Sequence, residues 1–246
     1  AVYRPMLRQI CLKFASKIIG ISNHTLDTFL AGRSRRPQVD TVHYYGIDSS
    51  VFHNKYDRNE FVSELGYSEN VKIVLFAGRM CDEKNPLFAV DVFAEMHRLD
   101  PSVIAVFAGV GSLTDCVLSK IAQLGLNDSF RYLGWREDLP RVMSCCDWFI
   151  LPHPEKHPEG FGLVVVEAQL AGLRLILSQG VRSDPLLPSA SVVRLPLALS
   201  CKEWAKEAMA MLSEPAPNQE AAWDSFSKSP FVMNRSFAEL NSLHNG

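Results

Sequence analysis

Short apolar runs recur along this chain, separated by helical patterns of about ten to fifteen residues, and that rhythm restricts it to repeated βαβ units around a parallel sheet. Strands are predicted at 18–21, 41–45, 72–77, 103–108, 130–133, 148–151, 173–177 and 192–195. Helices are predicted at 5–16, 23–31, 57–65, 86–98, 113–124, 138–145, 162–171, 202–213 and, with a break at Pro230, 217–243. Asn85-Pro86 reads as a helix opener, a capping side chain followed by proline at the first helical position. The segment 32–40, with Arg33, Arg35, Arg36 and Pro37, reads as an exposed connector. The expected fold class is α/β, a Rossmann-like parallel sheet with helices on both faces.

In such sheets ligands settle beyond the carboxyl ends of the strands. Arg79 follows strand 72–77, Gly109 follows 103–108, Trp135 follows 130–133, and Glu159 follows 148–151 through a loop, so four loops are expected to meet at one sheet edge. The loop after 148–151 is the most informative of them. In Pro158-Glu159-Gly160-Phe161-Gly162-Leu163-Val164-Val165-Val166-Glu167, two carboxylates bracket a glycine-flanked turn and a helix start. The glycines let backbone approach a ligand, and the first N–H groups of the helix suit a phosphate. Glu159 would precede the helix and Glu167 lie within it, so the two acids would reach opposite ends of one molecule, such as a sugar hydroxyl and a ribose hydroxyl. Arg79 can clamp a diphosphate in a fork and Lys84 neutralise it as a point charge; the plainer alternative makes them solvated charges, one paired with Asp82 or Glu83. Glu167 lies among Leu163, Val164, Val165, Val166 and Ala168, where a carboxylate needs a hydrogen-bond partner.

With 246 residues, 47% hydrophobic composition and a net charge of −2, the chain is long enough for one large domain or two small ones and lacks the bulk charge of a nucleic-acid binder. No apolar run is long enough to span a membrane and no secretory leader pattern is present, so a cytoplasmic address, including the inner face of the membrane, is expected. The six cysteines have no paired-ligand spacing and read as reduced, mostly buried thiols. Cys145, Cys146, His153 and His157 could suggest zinc, but adjacent cysteines do not easily reach one tetrahedral ion, and the two histidines read as loop residues near the sugar. Residues 4–17 place Arg8, Lys13 and Lys17 around an apolar helix, which packs against its own domain or makes peripheral membrane contact.

Gly78-Arg79 followed by Lys84-Asn85-Pro86, together with Glu159 and Glu167 at the spacing of a Glu-x7-Glu signature, resembles the family 4 glycosyltransferases. These transfer a sugar from a nucleoside-diphosphate donor with retention. Phe107-Ala108-Gly109-Val110-Gly111-Ser112 and Tyr132-Leu133-Gly134-Trp135 fall where that family has its Gly-x-Gly loop and base-binding turn, and Glu167-Ala168-Gln169-Leu170-Ala171-Gly172-Leu173 with Lys202-Glu203-Trp204-Ala205 is most similar to its capsular and exopolysaccharide branch. The resemblance implies the C-terminal, donor-binding half of a GT-B enzyme, residues 41–246, preceded by a remnant of the acceptor domain at 1–40.

It also implies roles. Arg79 and Lys84 hold the diphosphate and stabilise the departing nucleotide without metal or other cofactor. Glu159 holds sugar hydroxyls, the backbone of Phe161, Gly162, Leu163 and Val164 meets the distal phosphate and sugar, and Glu167 binds ribose. Gly109 makes a tight turn near the donor, and backbone around Trp135 and Arg136 reads the base. The partners implied are a nucleotide sugar and a glycan or lipid-linked acceptor held by a first domain that this chain lacks, so the chain is expected to be inactive alone. Gln179-Gly180-Val181-Arg182-Ser183-Asp184 departs from the family's turn, which leaves the donor sugar open. A donor-binding module without transfer and a nucleotide-sugar epimerase of similar architecture are the alternatives.

Overall fold

A computed structural model describes residues 3–68, 70–156 and 158–245. Their contacts resolve into two compact units, Ser49–Ser227 and the described residues up to Asp48 together with those from Lys228. The contacts therefore do not divide at residue 40. Residues 41–48 and the chain's far end group with the N-terminal segment, an association of remote segments that no local sequence pattern signals.

The smaller unit contains helix α1 (Tyr3–Phe14), strand β1 (Ile18–Gly20), helix α2 (Asn23–Leu30) and strand β2 (Asp40–Val42), with β1 and β2 parallel. A reciprocal cap starts α2: Ser22 Oγ accepts from the Thr25 N–H at 3.1 Å and Thr25 Oγ1 accepts from the Ser22 N–H at 2.9 Å. The last helix, Met233–Asn245, joins this unit through Ser236 Oγ, which donates to Tyr44 O at 2.9 Å. Met6, Leu7, Ile10 and Phe14 of α1 are exposed.

The larger unit runs α3 (Arg58–Glu64), β3 (Lys72–Ala77), α4 (Pro86–Leu99), β4 (Val103–Ala108), α5 (Thr114–Gln123), β5 (Phe130–Gly134), α6 (Leu139–Ser144), β6 (Trp148–Leu151), α7 (Leu163–Leu170), β7 (Arg174–Ser178), β8 (Val192–Leu195), α8 (Cys201–Ala210) and α9 (Gln219–Lys228). The strands form one parallel sheet in the order β5-β4-β3-β6-β7-β8. β4 and β6 are buried at every position, as parallel strands covered on both faces must be. Phe107 on β4 stacks on its β3 partner Phe76 at 5.0 Å between ring centroids and meets Phe130 of β5 edge-on at 5.1 Å. α4 covers the sheet with Ala89, Val90, Val92, Phe93 and Met96, the spacing of a single helical stripe. α8 opens with Ser200 and Glu203 capping each other.

Chain order reverses between β3 and β6: β4 and β5 extend the sheet on one side of β3, and β6, β7 and β8 extend it on the other. At such a reversal the loops after the two central strands part and open a crevice at the carboxyl edge.

Two local expectations fail. Asn85 does not cap α4 with its side chain; it adopts a left-handed conformation (φ 51°), and its Nδ2 donates to Pro152 O at 3.2 Å, tying the loop after β3 to the loop after β6. The cysteines are all free, as expected, but not mostly buried: Cys145 and Cys146 are buried, Cys81 and Cys201 intermediate, and Cys11 and Cys116 exposed.

Candidate active site at the strand-order reversal

Three loops lock together by backbone. The Gly78 N–H donates to Ala108 O at 3.0 Å, the Met80 N–H to Val110 O at 3.1 Å, and the Gly109 N–H to Gly134 O at 2.6 Å. Tyr132 adds its hydroxyl to Gly109 O at 2.8 Å. Gly109 is required here, since a Cβ at its φ of 126° would sit 1.9 Å from Gly78 O. This carries Arg79, Gly109 and Trp135 along the same edge. Arg79 is exposed and makes no side-chain hydrogen bond or ion pair among the described residues, and Trp135 is 73% exposed. Arg136 is turned into its own loop by Asp138, which accepts at 2.6 Å on each oxygen.

The loop after β6 is held from both sides. Asn85 binds Pro152 O, while from the far side Ser178 Oγ donates to His153 O at 2.5 Å and Gly180 O accepts from the Glu159 N–H at 3.0 Å. Glu159 is thus fixed where its Oε2 meets Lys84 Nζ, in an ion pair whose side chains are only 14% and 15% exposed. Lys84 therefore pairs with neither Asp82 nor Glu83. His153 completes the cluster, with Nε2 3.6 Å from the same carboxylate oxygen. Burial pulls the His153 imidazole below its ordinary range, opposed by the Glu159 charge and seconded by Lys84. His157 lies outside the described residues.

α7 begins immediately after this loop. Its cap, Gly162, is left-handed (φ 84°) and offers no side chain to the first N–H groups; a Cβ there would press on Glu159 Cγ at 3.1 Å. Phe161 is buried, while Leu163 is 37% exposed. One turn into α7 stands Glu167, half-buried and without a hydrogen-bond partner among the described residues, its carboxyl pushed up by burial alone. The expected partner for Glu167 is not supplied by any described residue.

The structure thus brings Arg79, Lys84, Gly109, Glu159, Phe161, Gly162, Leu163, Val164 and Glu167 to the edge where β3 and β6 diverge, with Trp135 and Arg136 on the neighbouring loop. Sequence reasoning left out Asn85 and Ser178 as braces, and it placed His153 no more closely than the loop. Cys145 and Cys146 stand apart at the end of α6, where Cys146 Sγ donates to Val142 O. Among the described residues no three His, Cys, Asp or Glu side chains group as metal ligands, and no helix is long and apolar enough to cross a membrane.

The profile of the family "Glycosyl transferases group 1" matches residues 57–183, just over half of the chain. The chain belongs to this family. It is 30% identical over 177 residues to the UDP-Gal:alpha-D-GlcNAc-diphosphoundecaprenol alpha-1,3-galactosyltransferase of Escherichia coli, which covers 70% of this chain and 42% of that protein. It is 24% identical to the Bacillus subtilis putative glycosyltransferase EpsF over 88% of this chain and 56% of that one. This group 1 glycosyl transferase chain therefore spans about half the length of these relatives. In fold it is similar to Anabaena HepE in complex with UDP and glucose, with a TM-score of 0.80 and 22% identity, covering 97% of this chain and 66% of that one. The fold is that of the GT-B glycosyltransferases.

Proposed function

We propose that this chain carries the donor site of a retaining family 4 glycosyltransferase, which moves a sugar from a nucleoside diphosphate to a glycan or lipid-linked acceptor in polysaccharide biosynthesis. The observation that carries the reading is the Lys84–Glu159 pair at the strand-order reversal, beside a helix whose Glu167 is half-buried and unpartnered. A structural glutamate would not be left desolvated without a donor.

Breaking the bond from the anomeric carbon to the diphosphate oxygen leaves negative charge on the departing nucleotide. Lys84 and exposed Arg79 would bear that charge, a stabilisation that grows as the bond lengthens. Glu159 accepts from sugar hydroxyls near the reacting carbon, and the backbone of Phe161 to Val164 meets the distal phosphate and sugar. Glu167 accepts from the ribose, and backbone at Gly109, Trp135 and Arg136 lines the base. Charge neutralisation by two side chains makes the donor site independent of metal. The Escherichia coli relative is named for UDP-Gal and Anabaena HepE is in complex with UDP, which makes UDP sugars the first probes.

The test is thermal stabilisation by UDP-, GDP-, ADP- and dTDP-linked sugars in the presence of a chelator. Ligand at 100 times its Kd stabilises by about 2.7 kcal/mol. Stabilisation by one base class is expected; no response from any member, or a response that needs added magnesium or manganese, counts against the reading.

A further inference from the structure

His153 has an arrangement that its charged form suits better than its neutral one. Nδ1 lies 3.3 Å from Pro154 O and Nε2 3.6 Å from Glu159 Oε2, so both ring nitrogens face oxygens that only accept. A neutral imidazole carries one N–H and turns a lone pair toward one of the two; the imidazolium donates to both. The ring is held in place, its side chain 5% exposed and its own carbonyl fixed by Ser178. The charged groups that act on it are Glu159 in its own loop and Lys84 and Glu83 from the loop after β3.

The Glu159 carboxylate is occupied by Lys84. On the donor-site reading above, an arriving diphosphate takes Lys84 as its own counter-ion. Glu159, only 15% exposed, then loses its ammonium partner, and Nε2 of His153 is the other nitrogen within reach. We infer that His153 is a positioning residue: donor binding is coupled to uptake of one proton from solvent onto its imidazole, which takes over Glu159 from Lys84 and holds that carboxylate for the sugar. No bond other than the N–H forms and nothing is oxidised or reduced. Burial and Lys84 both disfavour the charged ring, and transfer of Lys84 to the diphosphate removes one of those two influences while leaving Glu159 in place.

The experiment is calorimetric titration of the chain with UDP-glucose, whose diphosphate diester does not itself titrate near neutrality, in buffers of different ionisation enthalpy. The heat should vary with the buffer, with a slope corresponding to uptake of up to about one proton per site, and affinity should fall by up to about tenfold per pH unit between the titration of the free ring and that of the donor-bound ring. His153→Gln, or His153→Asn should the first variant not fold, should bind without proton uptake. In the ligand-free chain, Lys84→Met should move the His153 ring titration, followed by NMR, to higher pH. Binding without proton uptake, uptake undiminished in the His153 variant, or an unmoved titration in Lys84→Met each overturns the inference while leaving the donor site intact. Failure of UDP-glucose to bind the unaltered chain counts instead against the donor site, and the linkage falls with it.

Discussion

The ion pair between Lys84 and Glu159 joins the loop after β3 to the loop after β6, the two strands between which the sheet order reverses. Residues 75 apart in the chain thereby tie these two loops together. Both side chains are largely withdrawn from water, so each relies on the other as its counter-ion.

That dependence predicts non-additivity. Lys84→Met and Glu159→Gln should each destabilise the chain, because each leaves a shielded charge without its partner. The double variant should be less destabilised than the sum, by a coupling of roughly 0.5–3 kcal/mol in a denaturation cycle. Additive losses would mean that the contact contributes nothing.

Glu167 should oppose stability and binding to each other. Burial raises its carboxyl above the reference value of 4.5, so the stability linked to its protonated form is present below that value and is lost as pH rises through the folded-state pKa. At neutral pH the ionised group costs stability. Glu167→Gln should therefore raise Tm at neutral pH, each kcal/mol appearing as about 2–4 °C, and should weaken UDP binding. A lower Tm would reveal a protein partner for the carboxylate.

Arg79 is exposed and its side chain makes no hydrogen bond or ion pair among the described residues, which separates its two possible effects. Arg79→Ala should leave stability within about 0.5 kcal/mol of the parent. The same variant should lose roughly 1.5–3 kcal/mol of affinity for UDP, the range for hydrogen bonds to a charged group. Unchanged affinity in calorimetry would return Arg79 to the solvated surface.

Phe107 is fully buried between Phe76 and Phe130 and anchors the three strands whose loops carry Arg79, Gly109 and Trp135. Phe107→Ala should cost about 3–5 kcal/mol in chemical denaturation. A loss near zero would mean that the sheet core relaxes around the gap.

The strands at 72–77, 103–108 and 148–151 were legible to the residue because parallel strands covered on both faces leave near-continuous apolar runs between turn residues. The residues facing the crevice were legible for a related reason, since position after a strand fixes the sheet edge. What was hidden depends on partners remote in the chain. Asn85 before a proline has the local chemistry of a cap, and the carbonyl of Pro152, 67 residues away, overrides it. His153 reads as an ordinary loop residue until Glu159 folds back beside it and Ser178 fixes its carbonyl. The grouping of residues from Lys228 with those up to Asp48 has no sequence signature, because neither segment carries a pattern that names the other.

The division of labour between the two glutamates is the most direct test of the donor site, read by calorimetry of UDP and UDP-glucose with Glu159→Gln and Glu167→Gln in chelator. Glu167 sits within α7 and Glu159 in the loop before it, with Gly162 between them. Glu167→Gln is predicted to weaken both ligands alike. Glu159→Gln is predicted to weaken UDP-glucose while sparing UDP. Equal losses for both ligands in both variants, or tight binding of both ligands by both variants, would contradict the assignment of sugar and ribose to opposite ends of the turn.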